Sequence, residues 1–124
     1  MRGDHAVISD DLILEELIEK LERTTYRERD TGLIIRTEDF LLNRQKDTIL
    51  AKVVVVEGRA QSFYIVMNKK EGELTMRIDP TTDPEKTEGV ETALALVRKQ
   101  VIKTDPDSLA IVRTNIGRAL QKLF

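Results

Sequence analysis

His5, Asp79 and Asp83 are the residues of this chain whose types and spacing could support chemistry. A histidine oriented by a neighbouring carboxylate can act as a general base, and His5 follows Asp4. Two aspartates four residues apart could supply oxygen ligands to Mg²⁺ or Ca²⁺, although their spacing is not that of an EF-hand loop. One histidine without any cysteine is too small a ligand set for zinc. We therefore predict no catalytic residue, no metal ligand and no cofactor, and keep a carboxylate- or divalent-metal-dependent enzyme as an alternative.

The Asp-Pro dipeptides also have a structural interpretation. Asp83 before Pro84 predicts a helix start, because the aspartate accepts free backbone N–H groups and proline needs no N–H there. The same dipeptide at Asp105 predicts the start of a last helix. Asp79, which also precedes a proline, predicts the end of a strand. Caps and turns are commoner roles for such aspartates than catalysis, so these roles are sufficient to explain them.

Composition and motifs restrict the class of protein. The chain has 124 residues, 40% hydrophobic and 34% charged, which is typical of one globular domain spanning residues 1–124. It contains no cysteine, which excludes disulfides and thiolate chemistry and favours a reducing, cytoplasmic location. Neither of the glycine-rich phosphate-binding motifs occurs. No apolar run is long enough to cross a membrane, and we expect residues 1–8 to be a mobile N-terminal stretch without a signal-peptide core.

Apolar periodicity predicts the order of the elements. Residues 9–23 repeat apolar side chains at helical spacing and predict an N-terminal helix. Four β-branched or alternating segments follow, and the short turns between the later ones predict antiparallel hairpins. Two amphipathic stretches after residue 84 predict two C-terminal helices. The sequence thus predicts a two-layer α+β fold with a three- to four-stranded antiparallel meander, in the order α-β-β-β-β-α-α.

Two of the predicted strands are apolar on both faces. In "VVVV" and "SFYIVM" both alternate sets of positions carry apolar side chains, so helices on one face would leave the other exposed. We therefore expect a small protein-interaction or regulatory module that acts through its sheet and helix surfaces and binds itself, as a homodimer, or another protein. The order of elements is also similar to that of several small partner-binding folds, including secretion-chaperone-like domains. The residues predicted at the interface are Val54, Val56, Tyr64 and Val66, or the alternate positions of the same strands if the helices cover this face instead.

A basic C-terminal region supports an alternative function. Residues 91–124 carry six Lys/Arg against three Asp/Glu, although the whole chain has a net charge of −2. The stretch "RTNIGRALQKL" resembles a recognition helix of helix-turn-helix proteins but lacks the short preceding helix and tight turn of that motif. The alternative is therefore nucleic-acid binding by the basic face of the last two helices. The residues predicted for it are Arg98, Lys99, Lys103, Arg113, Arg118 and Lys122.

Overall fold

The computed structural model describes residues 4–7, 13–70, 73–104 and 110–113, and the side chains of residues 13–70 and 73–103. In chain order the elements are β1 (Asp4–Val7), α1 (Leu14–Lys20), β2 (Thr24–Arg27), β3 (Ile34–Leu42), β4 (Thr48–Glu57), β5 (Arg59–Lys70), β6 (Glu73–Ile78), α2 (Glu88–Thr104) and β7 (Ala110–Arg113). The strands form one sheet in the order β2-β3-β4-β5-β6-β1-β7. Every neighbouring pair is antiparallel.

The hydrophobic core lies between the two helices and one face of the sheet. One alternate set of side chains in β4 and β5 points to this covered face, where Val53 is 0% and Phe63 is 1% exposed. The helices supply the other side of the core, since Leu14, Leu17 and Leu94 are each 1% exposed. Burying one such side chain stabilises the fold by about 1.5–3 kcal/mol. The predicted apolar stripes of the first helix and of the long helix α2 therefore form the core.

The α+β class is confirmed, whereas the predicted numbers of strands and helices are wrong. The described residues contain seven strands in the sheet instead of three or four, and two helices instead of three. Asp4–Val7 lies where we expected a mobile stretch, but it pairs with β6 and β7. Ala110–Arg113 lies where we expected the last helix, and its predicted cap, Asp105, is outside the described residues. Pairing with neighbouring strands determines the conformation of such four-residue segments, and local periodicity does not reveal that pairing.

Helix α2 begins later than the Asp-Pro signature predicts. Its N-cap is Thr87, whose Oγ1 accepts the N–H of Val90 at 3.2 Å. Asp83 lies in the preceding loop with a φ of +33°, so its predicted capping role is wrong. Asp79 does have the predicted turn role, because its Oδ1 accepts the N–H of Thr81 at 3.0 Å immediately after β6. The helix start is thus set by Thr87, which is not part of the predicted Asp-Pro signature.

Strand β3 contains a β-bulge. Thr37 pairs with Val53, but the next pair along the ladder is Asp39 with Lys52, so Glu38 is the extra residue. A bulge reverses the faces to which the following side chains point, because one strand advances by a residue without a partner. The sequence of β3 therefore alternates on either side of the bulge but not across it.

The side chains of β3 follow this reversal. Ile35 and Thr37, before the bulge, are buried on the covered face, at 1% and 3% exposure. After the bulge, Phe40 and Leu42 pack against the core, and Leu41 is left 48% exposed on the opposite face. The poor alternation of this segment in the sequence is thus a consequence of the bulge.

The turn between β3 and β4 is held by side-chain hydrogen bonds. Asn43 Oδ1 accepts the N–H groups of Asp47 and Thr48, each at 3.0 Å. Asn43 Nδ2 donates to Asp47 Oδ1 at 2.6 Å, and the Thr48 hydroxyl donates to the same oxygen at 3.0 Å. The hydrogen bond from Asn43, followed by that from Thr48, lowers the pKa of Asp47 below its ordinary value.

We predict that the charge of Asp47 stabilises the fold in a pH-dependent way. Its pKa is lower in the folded than in the unfolded chain, so the stabilisation is complete above about pH 4 and is lost as the pH falls through the folded-state value. Asp47→Asn should therefore lower the urea midpoint more at neutral pH than at about pH 2. The measurement is urea unfolding followed by circular dichroism across this range.

The matched control repeats the substitution in an Asn43→Ala background. The main donor to the carboxylate is absent there, so the pH dependence of the Asp47→Asn effect should shrink. An equal pH dependence in both backgrounds would contradict the role assigned to Asn43.

Candidate functional site

The face of the sheet opposite the helices carries a continuous apolar surface, which we call the outer face. Its residues alternate with the buried residues of β3, β4 and β5, and none of them belongs to the core cluster. Leu41 is 48% exposed, which is unusual for a large hydrophobic residue among the described side chains. The apolar residues of the outer face are Ile34, Leu41, Leu50, Val54, Val56, Tyr64 and Val66.

The strand register aligns the outer face in four cross-strand rows. Side chains in such rows lie about 4.5–5.5 Å apart at their Cβ atoms and pack against each other. The two end rows consist of apolar residues, whereas the charged residues lie in the two inner rows, most of them in the second row at the middle of β4. From β3 to β5 the rows are Leu41–Leu50–Val66, Asp39–Lys52–Tyr64, Arg36–Val54–Ser62 and Ile34–Val56–Ala60.

The second row contains both signs of charge. Lys52 pairs in register with Asp39, and its Nζ lies 4.0 Å from Oε1 of Glu38, the bulge residue. The side chains of Lys52 and Glu38 are 44% and 39% exposed, so solvent screens their attraction and the contact contributes little stability. The bulge therefore places two carboxylates beside one lysine in the middle of the outer face, next to the row that contains Arg36.

The structure brings the four predicted interface residues together on the outer face. Val54, Val56, Tyr64 and Val66 are all partly exposed, and they occupy adjacent positions on β4 and β5. Sequence reasoning missed Leu41, because the bulge in β3 hides its direction. Leu50 and Ile34 were also missed, although Leu50 has the same parity as Val54 on β4.

Two cavities are the other candidate sites. One has a volume of about 360 Å³ and lies at the N-terminus of α2. The other has a volume of about 270 Å³ and lies beside the loop that precedes α2. The first is lined by Glu28, Thr31, Leu33, Glu57, Gly58, Glu88 and Gly89. The second is lined by Arg77, Ile78, Pro80, Asp83, Pro84 and Lys86.

Two carboxylates of the first cavity are engaged in structural contacts. Glu28 accepts the hydroxyl of Tyr26 at 3.2 Å and that of Thr31 at 3.0 Å, one on each carboxylate oxygen. Glu57 accepts the hydroxyl of Thr87, the N-cap of α2. These contacts stabilise the loop after β2 and the end of β4. A structural role is therefore sufficient to explain both carboxylates.

Glu57 lies against the first turn of α2. A Cβ built on Gly89 would lie only 2.5 Å from the carboxyl carbon of Glu57, so any larger residue at this position displaces the carboxylate. A negative charge is favourable at a helix N-terminus, where it contributes about 0.3–1 kcal/mol. Gly89 is therefore the residue that allows Glu57 to approach the helix.

The basic residues predicted for nucleic-acid binding do not form one helical face in the described residues. Arg98 in α2 is 1% exposed, so it is not available to contact a phosphate. Lys99 is partly exposed and Lys103 is exposed near the end of α2. Arg113 belongs to strand β7 instead of a helix. The other two, Arg118 and Lys122, lie outside the described residues.

The residues considered for chemistry are distributed over different elements. His5 lies in β1, where its register partners are Thr75 and Arg113. Asp79 and Asp83 lie in the loop between β6 and α2, outside any regular element. Among the side chains that the structure describes, no group of three or more His, Cys, Asp or Glu residues could hold a metal ion.

We predict that Gly89→Ala and Glu57→Ala are energetically coupled. Alanine at position 89 improves helix propensity by up to about 1 kcal/mol but displaces the Glu57 carboxylate, which cancels much of the gain. In a Glu57→Ala background the gain should be nearly complete. The measurement is a double-mutant cycle from urea unfolding, with an expected coupling of about 0.5–1 kcal/mol. Additive effects would show that Glu57 is not held against the helix.

The comparisons complete the description of the site. Within the described ranges, no helix is long and apolar enough to cross a membrane. Searches against protein-family models, curated proteins and solved structures gave no match. The outer face is the apolar surface of the described residues that the fold leaves without a structural role.

Proposed function

We propose that the protein is a small cytoplasmic protein-interaction module that acts as a homodimer through the outer face of its sheet. The observation that carries this proposal is the apolar surface of β3, β4 and β5 on the side opposite both described helices. A large apolar patch is typical of a surface that binds another protein. The absence of cysteine supports the cytoplasmic part of the proposal, since disulfides are rare in that compartment.

The size of the outer face is sufficient for a specific interface. The three strands that form it, β3, β4 and β5, have 9, 10 and 12 residues. At about 3.3 Å per residue and about 4.8 Å between strands, this face measures roughly 500 Å². Two outer faces packed together would therefore bury roughly 1,000 Å² in total, which is the lower size of a specific protein–protein interface.

The mixture of charges favours a second copy of the chain as the partner. A symmetric dimer contact uses the same patch on both chains, so the patch must be complementary to itself. Apolar rows satisfy this condition because they can face each other. The row that contains Lys52, Glu38 and Asp39 also satisfies it, because it carries both signs of charge.

We predict that Leu41→Glu dissociates the homodimer. Leu41 is 48% exposed in the single chain, so burial of its remaining surface in a dimer would contribute about 0.7–1.5 kcal/mol from each copy. Loss of both contributions, with a carboxylate in their place, should raise the dissociation constant by roughly a hundredfold or more. Light scattering coupled to size exclusion across a concentration series measures the oligomeric state.

Ile13→Glu is the matched control for this substitution. Ile13 is 47% exposed, almost as much as Leu41, but it precedes α1 and does not belong to the outer face. The same exchange of an exposed aliphatic side chain for glutamate should leave the dimer intact. A wild-type chain that stays monomeric throughout the series would refute the proposal, as would equal dissociation by both variants.

A further inference from the structure

We infer that the two-fold axis of the homodimer runs along the strands, between β3 and β4. This inference rests on the proposed dimer and specifies which residues meet in it. An axis at this position places β4 of one copy over β3 of the other. Each cross-strand row of one copy then faces the same row of the other copy. Lys52 of each copy then meets Asp39 and Glu38 of the other copy.

The desolvation of the charged row is the physical reason for this axis. Lys52 and Glu38 are both partly exposed in the single chain, and a face-to-face dimer would remove water from them. Removal of water from a charge is unfavourable unless new opposite charges replace the lost hydration. The contact of 4.0 Å within one chain is a weak replacement. A carboxylate pair from the second copy supplies the missing partner for each lysine.

The apolar rows fit the same axis. At the level of the first row, Leu50 of one copy faces Leu41 of the other. At the level of the last row, Val56 faces Ile34. The charged row lies near the middle of β4, between these apolar contacts. Because twisted sheets that pack face to face cross at about 30°, their closest approach is at the middle, where the charges lie.

Other positions of the axis give poorer contacts. An axis along β4 would place Lys52 of one copy directly over Lys52 of the other, which is repulsive. An axis between β4 and β5 would place Lys52 over Tyr64 and would leave both carboxylates of the row without a positive partner. It would also bring Leu41 over Arg77, because β3 would then lie over β6. Of these axes along the strands, the one between β3 and β4 is therefore the one that gives Lys52 opposite charges in the other copy, with Arg36 facing Val54 at the level of the next row.

A charge-swap experiment tests this inference on the full chain. The acidic variant is Lys52→Glu, and the basic variant combines Glu38→Lys with Asp39→Lys. In each variant alone, like charges face each other across the axis, so self-association should weaken about tenfold or more. In an equimolar mixture, opposite charges face each other at both symmetry-related positions, so a 1:1 heterodimer should form. An affinity tag on one variant and light scattering on the eluted complex identify it.

A control variant and the oligomeric state of the wild type distinguish a wrong axis from the absence of a dimer. Arg77→Glu changes a charge on β6, which lies beyond the partner's β2 in this arrangement, and should leave the homodimer intact. A wild-type dimer whose two charge variants do not prefer each other would overturn the axis and leave the dimer standing. A monomeric wild type would remove both. Thermal melts of each variant identify any loss of association that is caused by unfolding.

Discussion

The structure depends on a central pair of strands that are apolar on both faces, combined with helices that cover only one of those faces. In β4 and β5 the buried set includes Val53 and Phe63, and the alternate set includes Val54 and Val66. Both described helices pack on the first set, so the second set forms a surface instead of a core. Sheet strands that face water on one side usually alternate apolar and polar residues. The departure from that pattern is what gives this fold a candidate partner-binding surface.

The bulge in β3 determines the composition of that surface. By adding Glu38 to the ladder, it turns Phe40 and Leu42 toward the core and Leu41 toward the outer face. It also places two carboxylates next to Lys52. A regular strand would have put a different set of side chains on each face, because side chains alternate with a period of two. One extra residue therefore sets what β3 contributes to the apolar and the charged parts of the outer face.

Several carboxylates that could have been taken for functional groups stabilise turns and helix ends. Asp47 accepts hydrogen bonds within the β3–β4 turn, and Asp79 accepts the N–H of Thr81 at the end of β6. Glu57 accepts the hydroxyl of the N-cap residue of α2 and lies against Gly89. Charged acceptors are well suited to such positions, because they form strong hydrogen bonds with the hydroxyl, amide and backbone N–H donors that turns and helix starts present.

The sequence by itself determined the elements that have strong periodicity. The apolar stripes of α1 and α2 and the alternation of β6 fixed which side chains are buried, because the backbone geometry of a long element dictates which residues share a face. The same reasoning identified both faces of β4 and β5 as apolar and selected four residues of the outer face. The Asp-Pro signature at Asp83 was misleading, since a threonine four residues later caps the helix.

Only the tertiary structure decided which face the helices cover, where the short strands lie and how β3 is oriented. Strands β1, β2 and β7 have four residues each, and such segments are stabilised by their neighbours in the sheet instead of by their own composition. The periodicity of the sequence cannot show which of two equally apolar faces is buried, because that depends on where helices distant in the sequence pack. The position of Leu41 likewise depends on a bulge that exists only when β3 pairs with β4.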